Sequence, residues 1–175
     1  MQGAHINPAI SLSSVSKIYR TGISQQPHRA LTEINISIHP GEIYGLIGPN
    51  GSGKTTTLKL LIGLLKPTSG KIQILGGTPD DKRIRSRIGF LPEESYLYPF
   101  LTGQETMRFF CRIFGLGRRE AIERSRLLLH QLGIADAVGR KIKEYSKGMQ
   151  RRLGLSIALI NNPDLLLLDD PTSGL

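Results

Sequence analysis

Cysteine is almost missing from this chain of 175 residues: Cys111 stands alone, so no internal disulfide can form. That usage fits a reducing compartment. No apolar run approaches the ~20 residues that a helix needs to cross a bilayer. The first residues, Met1–Pro8, lack the charged and apolar regions of a secretory signal. Acidic residues are also few, 14 against 23 Lys and Arg, which leaves a formal net charge of +9. The excess is scattered over Arg83, Arg85 and Arg87, Arg118 and Arg119, Lys141, Lys143 and Lys147, and Arg151 and Arg152. No basic stripe is interleaved with aromatics, so these residues read as solvated faces and no nucleic-acid partner is expected. The absences exclude a disulfide scaffold and a helical membrane protein, and lead us to expect one soluble, cytosolic domain. With 39% hydrophobic residues, the chain can pack a core.

Against that background one stretch stands out. Gly48-Pro49-Asn50-Gly51-Ser52-Gly53-Lys54-Thr55-Thr56 fits G-x-x-x-x-G-K-[ST], the P-loop pattern. Glycines let the backbone curl with its N–H groups facing phosphate oxygens. Lys54 adds a charge for the β- and γ-phosphates, and the Thr55 hydroxyl can ligate Mg²⁺. The context agrees. Ile43–Ile47 is an apolar run expected to be a buried strand, and Leu58, Leu61, Ile62 and Leu65 recur at helical spacing behind the loop. The helix N-terminus would add its dipole to the anion site.

Elsewhere, Ile10–Ser16 and the alternating Glu33–His39 read as strands, with Thr21–Arg29 as a loop and Pro40-Gly41 as a turn. Lys66–Gly70 is a break, Lys71–Leu75 a strand, Asp80–Arg87 a short helix and Ile88–Leu91 a strand. From Glu93 to Tyr145 the signals are helical, without internal repeats or low complexity. Thr102 and Glu105 form a capping box. Met107, Phe110, Cys111 and Phe114 share one face before Gly115, which marks Cys111 as core and not as a nucleophile. Arg118–Leu132 is a second helix. Ser146–Asn161 is a third, with Met149, Leu153, Ile157 and Ile160 on one face. Leu165–Leu168 reads as a strand buried on both faces. It runs into Asp169-Asp170, and an acid at the end of such a strand is the expected second half of a phosphate–Mg²⁺ site. A sheet built from the earlier strands and Leu165–Leu168 is expected beside the helical stretch.

Taken together, these residues resemble the ATP-binding subunit of an ABC transporter. Gly48–Thr55 stands as Walker A and Leu165–Asp169 as Walker B. Tyr145-Ser146-Lys147-Gly148-Met149 takes the place of the Leu-Ser-Gly-Gly-Gln signature, and Leu91-Pro92-Glu93-Glu94 that of the Q-loop. Asp170–Leu175 matches Glu-Pro-Thr-Ser-Gly-Leu. The Leu-Pro-Glu-Glu form is similar to ABC-2-type exporters. The resemblance implies an α/β fold, a RecA-like P-loop NTPase core with an antiparallel β-subdomain and a helical subdomain. Residues 1–92 and 146–175 would form the core, and 93–145 the helical part.

It also implies roles. Tyr19 would stack on adenine, and Gly48, Pro49, Asn50, Gly51, Ser52, Gly53, Lys54, Thr55 and Thr56 would hold the phosphates of ATP. Thr55 and Asp169 would serve Mg²⁺, while Glu93 would meet the metal or its water and sense the γ-phosphate. Asp170 would be the general base, one methylene shorter than the family's glutamate, so slow hydrolysis is expected. Ser146 and Gly148 would complete the site of a second nucleotide-binding domain, in a homo- or heterodimer. A transmembrane permease subunit would be the further partner, with the protein peripheral on the cytoplasmic face. Two alternatives stand beside this reading: a non-hydrolysing partner subunit, which Asp170 favours, and a soluble ATPase acting on ribosomes or nucleic acid. The family's D-loop aspartate and switch histidine would follow Leu175. So would a strand lying between those matching Ile43–Ile47 and Leu165–Leu168. We therefore expect a domain incomplete at its C-terminus, poorly stable and inactive by itself.

Overall fold

Ile10, Leu12 and Val15 are all buried, although the step from Leu12 to Val15 breaks strict alternation. An inserted residue explains the break. In the computed structural model, which describes residues 7–20 and 26–171, Ser14 sits at φ +48° and shifts the strand by one place. Its N–H donates to Asn35 Oδ1 at 2.8 Å. Opposite, Glu33 has φ +47° and donates its N–H to Ser16 Oγ at 2.9 Å. These bulges lie between β1 (Ile10–Tyr19) and β2 (His28–Ile38), which pair antiparallel. On its other edge β1 pairs antiparallel with β3 (Ser69–Ile74), giving the order β2-β1-β3.

Two expectations change here. His28 and Arg29 are strand residues, because β1 extends to Tyr19 and offers them partners; residues 21–25 of the expected loop lie outside the described residues. Ile43–Ile47 is neither buried nor a strand. Ile43 and Ile47 are 103% and 97% exposed. A strand exists only with a hydrogen-bonded neighbour, and none of the described strands pairs with 43–47.

Residues Met1–Arg85 and Ser86–Leu175 form two compact units. Besides its sheet, the first holds α1 (Lys54–Leu61), with Leu58, Leu60 and Leu61 buried, and the four-residue α2 (Lys82–Arg85). In the second, β4 (Ile88–Leu91) runs parallel to β5 (Leu165–Leu168). The expected single sheet is thus two separate sheets among the described residues. With β4 as its one strand neighbour there, β5 buries Leu167 fully and its other leucines in part, so it is not covered on both faces.

The rest of this unit is helical. α3 (Gly103–Ile113) and α4 (Arg118–Gln131) are followed by 3₁₀ turns at Ala135–Ala137 and Ile142–Glu144, then by α5 (Lys147–Leu159). Met107, Cys111, Leu129, Ile142, Leu153 and Ile160 make the core between these helices, and Cys111 is core as expected. α5 buries a second stripe as well. A Cβ on Gly89 of β4 would stand 2.2 Å from the Ala158 carbonyl, so strand and helix touch backbone to backbone. Basic side chains serve structure in several places. Arg87 pairs with Asp164 at 2.6 Å, and Arg152 donates to the Leu132 and Gly133 carbonyls at the end of α4, each at 3.3 Å.

The capping box forms as expected. Thr102 Oγ1 accepts from the Glu105 N–H at 3.1 Å, and the Thr102 N–H donates to Glu105 Oε2 at 2.8 Å. The backbone N–H and hydroxyl of Thr102 hold the Glu105 carboxyl below its ordinary range. A depressed carboxyl stabilises the fold above its unfolded-state pKa and loses that contribution as pH falls through the folded one. Thr102→Ala is expected to cost about 0.5–2 kcal/mol near neutral pH. In urea melts Thr102→Ala should unfold at lower denaturant than wild type near neutral pH; equal midpoints would contradict the cap.

Candidate functional site

In the first unit, the turn at Pro40-Gly41 leads through the exposed segment 43–47 into Gly48–Gly53. Gly53 is the N-cap of α1 at φ +92°. A Cβ there would lie 2.5 Å from Leu31 Cδ2 and 2.7 Å from the Ala30 carbonyl, so only glycine fits. A Cβ on Gly48 would meet Ser52 Oγ at 2.7 Å. Lys54 folds back over the loop and donates from Nζ to the carbonyls of Gly48, at 2.7 Å, and Pro49, at 3.0 Å. No side chain caps α1 and no acidic residue lies in its first turn. Exposed loop, first-turn N–H groups and ammonium together favour an anion. Tyr19 joins this group: its hydroxyl is 3.5 Å from Thr56 Oγ1, and Lys17 Nζ is 5.4 Å from its ring centroid. Tyr19 and the loop residues Gly48, Pro49, Asn50, Gly51, Ser52, Gly53, Lys54, Thr55 and Thr56 are therefore gathered at one end of α1.

The second unit gathers the other residues. Asp169, 6% exposed, follows β5 and donates its N–H to the Leu91 carbonyl at 2.9 Å. Asp170 comes next, in a left-handed conformation at φ +44°. Glu93 is exposed two residues beyond β4. Ser146 is the exposed N-cap of α5, where its Oγ accepts from the Met149 N–H at 3.2 Å; Gly148 lies in the same first turn. The Ser146 hydroxyl proton remains a donor for a ligand. Tyr145, which replaces the signature's leucine, is buried and donates its hydroxyl to the Ala137 carbonyl at 2.8 Å. Burial pushes its phenol pKa up.

One residue that draws Glu93, Asp169 and Asp170 together reads from the sequence only as a solvated basic residue. Arg151 is 5% exposed. One terminal nitrogen donates to the Pro92 carbonyl and to that of Glu93 at 3.0 Å. The other donates to the carbonyls of Asp169, at 2.6 Å, and Asp170, at 2.7 Å. The signal was available in the spacing: Arg151, Gly154 and Ala158 form a stripe at i, i+3 and i+7, with small residues suited to close packing. Counted among scattered basic residues, Arg151 read as solvated. Thr172–Leu175, matched to the end of Glu-Pro-Thr-Ser-Gly-Leu, lie outside the described residues.

The sequence pattern of the family described as ABC transporter matches residues 31–173. The chain belongs to the ABC transporter family. An uncharacterised ABC transporter ATP-binding protein of Synechocystis sp. is 40% identical over 164 residues, covering 92% of this chain and 46% of that protein. The Nod factor export ATP-binding protein I of Cupriavidus metallidurans is 38% identical over 169 residues, covering 95% and 54%. Among solved structures, a dimeric ATP-binding cassette in a post-hydrolysis state bound to ADP and Pi superposes with a TM-score of 0.84 at 32% identity. It matches 95% of this chain and 75% of that one. The chain spans about half the length of these two relatives. Its fold is that of the ABC ATPase cassettes, mixed α/β with an antiparallel sheet.

Proposed function

We propose that the chain is the nucleotide-binding part of the ATPase subunit of an ABC exporter. The observation that carries this is the phosphate cradle: Gly53 admits no side chain, and Lys54 is closed over the loop at the uncapped start of α1. These features fit a polyphosphate, and Tyr19, beside Thr56, would stack on the adenine. ATP would supply the scissile phosphoanhydride, and Mg²⁺, when bound, would supply charge neutralisation at its oxygens. Thr55 and Asp169 are the residues that would serve Mg²⁺, each with a hard oxygen donor of the kind that ion takes. Asp170 would take the proton of the attacking water, and Glu93 would meet the metal or its water.

The division into a core of 1–92 and 146–175 and a helical subdomain of 93–145 belongs to this proposal. The helical elements of 103–144 support it. Tyr96, Tyr98, Phe100 and Phe109 are exposed on that side, an apolar surface suited to a cytoplasmic loop of the membrane subunit. No helix of the described residues is long and apolar enough to cross a membrane. The protein would act peripherally on the cytoplasmic face and leave passage to that partner. Export is proposed from the Nod factor relative and the Leu-Pro-Glu-Glu sequence.

The second partner is another nucleotide-binding domain, read through Ser146 and Gly148. The N-cap hydroxyl of Ser146 and the first-turn backbone N–H of Gly148 suit a phosphate from another copy. Light scattering on full-length Asp170→Asn tests this. With Mg·ATP we expect a dimer, abolished by a bulky charge in Ser146→Arg. A dimer formed equally without nucleotide, or kept by Ser146→Arg, would contradict the arrangement.

A further inference from the structure

We propose that Arg151 is a positioning residue that sets the Asp169-Asp170 backbone for metal binding and catalysis and ties it to the Glu93 loop. This rests on the ATPase reading above. A guanidinium is always protonated and presents its donors as a rigid planar fork. Here the fork ends on four backbone carbonyls from two segments, Pro92 and Glu93 beyond β4, and Asp169 and Asp170 beyond β5. All four lie just past a strand end, where the bond from the Asp169 N–H to the Leu91 carbonyl carries the β4–β5 ladder one step further. Asp170 is a non-glycine residue at φ +44°, a conformation that must be held by its surroundings. The Arg151 bonds at 2.6 and 2.7 Å to the carbonyls on each side of that residue's φ and ψ hold it.

The arginine's own position is fixed. Its helix packs backbone to backbone on β4 through Ala158 and Gly89, and a Cβ on Gly154 would meet Ser95 Oγ at 2.6 Å. Ser146 caps the same helix five residues earlier, so α5 carries a ligand-facing hydroxyl at its N-terminus and reaches the two aspartate carbonyls through Arg151. Arg151 contacts carbonyls at this site and acts on the carboxylates through the backbone.

The distinction yields a test. Lysine keeps the charge but cannot bridge both carbonyl pairs, and methionine removes donors while filling similar space. Full-length wild type, Arg151→Lys and Arg151→Met are compared for ATP affinity with and without Mg²⁺, and for kcat and KM. Metal-free affinity depends on Lys54 and Tyr19 and should stay within about threefold. The gain in affinity from Mg²⁺ should fall at least fivefold in Arg151→Met, and kcat by about a hundredfold, as expected for groups displaced by about 1 Å, with KM little changed. Arg151→Lys should fall between, and circular-dichroism melts check that it folds. Variants that keep the Mg²⁺ gain and kcat of wild type, or that lose metal-free binding in proportion, would overturn the assignment. A wild type that binds ATP in neither condition would overturn the ATPase reading itself, and this proposal with it.

Discussion

Asp170→Asn should lower ATP turnover of the full-length protein by about 10²–10⁴-fold, the usual worth of a positioned general base, with KM within about threefold. Asparagine matches aspartate in shape and tolerates the left-handed backbone found at φ +44°, so the variant should fold. What it loses is the ability to take a proton. Asp170→Glu tests the same assignment in the opposite direction. Aspartate reaches one methylene less far than glutamate, and a shortfall of about 1 Å can cost about a hundredfold. If reach limits the rate, the glutamate variant should turn over faster than wild type. Phosphate release measured under saturating Mg·ATP distinguishes these cases. Two variants indistinguishable from wild type would move the base elsewhere, with Glu93 the first residue to examine.

Much of the local structure was legible because its causes are local. Thr102 and Glu105 meet within one turn, so the spacing alone specifies the cap that the structure shows. Cys111 lies between Met107 and Phe114 on a periodic face, and its burial follows from that period. The glycines around Lys54 specify a backbone conformation, and Gly53 adopts the positive φ that only such a residue supplies cheaply. Helix α5 likewise begins at the expected Ser146 and buries Leu153, Ile157 and Ile160.

What could not be read depends on distant partners. The apolar run Ile43–Ile47 states a preference for burial but not which neighbour provides it, and it stands exposed. Leu165–Leu168 reads as a strand and forms one, yet its cover depends on how many strands join it. His28 and Arg29 have weak strand character of their own and are recruited by the length of β1. Arg151 is the plainest case. Charge normally signals a surface, and only the small residues Gly154 and Ala158 along its stripe show that this side of the helix is covered. Its four carbonyl acceptors come from segments 18 to 59 residues away, beyond the reach of any local pattern.

The central claim is that Gly48–Thr56 holds the phosphates of ATP, and Lys54 is where it can be tested most directly. The ammonium lies over the loop at 2.7 Å from the Gly48 carbonyl, a charge fixed beside the glycine cradle. Hydrogen bonds to charged groups contribute about 1.5–3 kcal/mol each. Losing one such contact corresponds to roughly ten- to hundredfold in affinity. Equilibrium titration of Mg·ATP into full-length wild type and Lys54→Ala makes the comparison, with matched melts to show that both are folded. The account predicts saturable binding by wild type, weakened by that factor in Lys54→Ala; equal affinities, or no saturable binding by wild type, would contradict it.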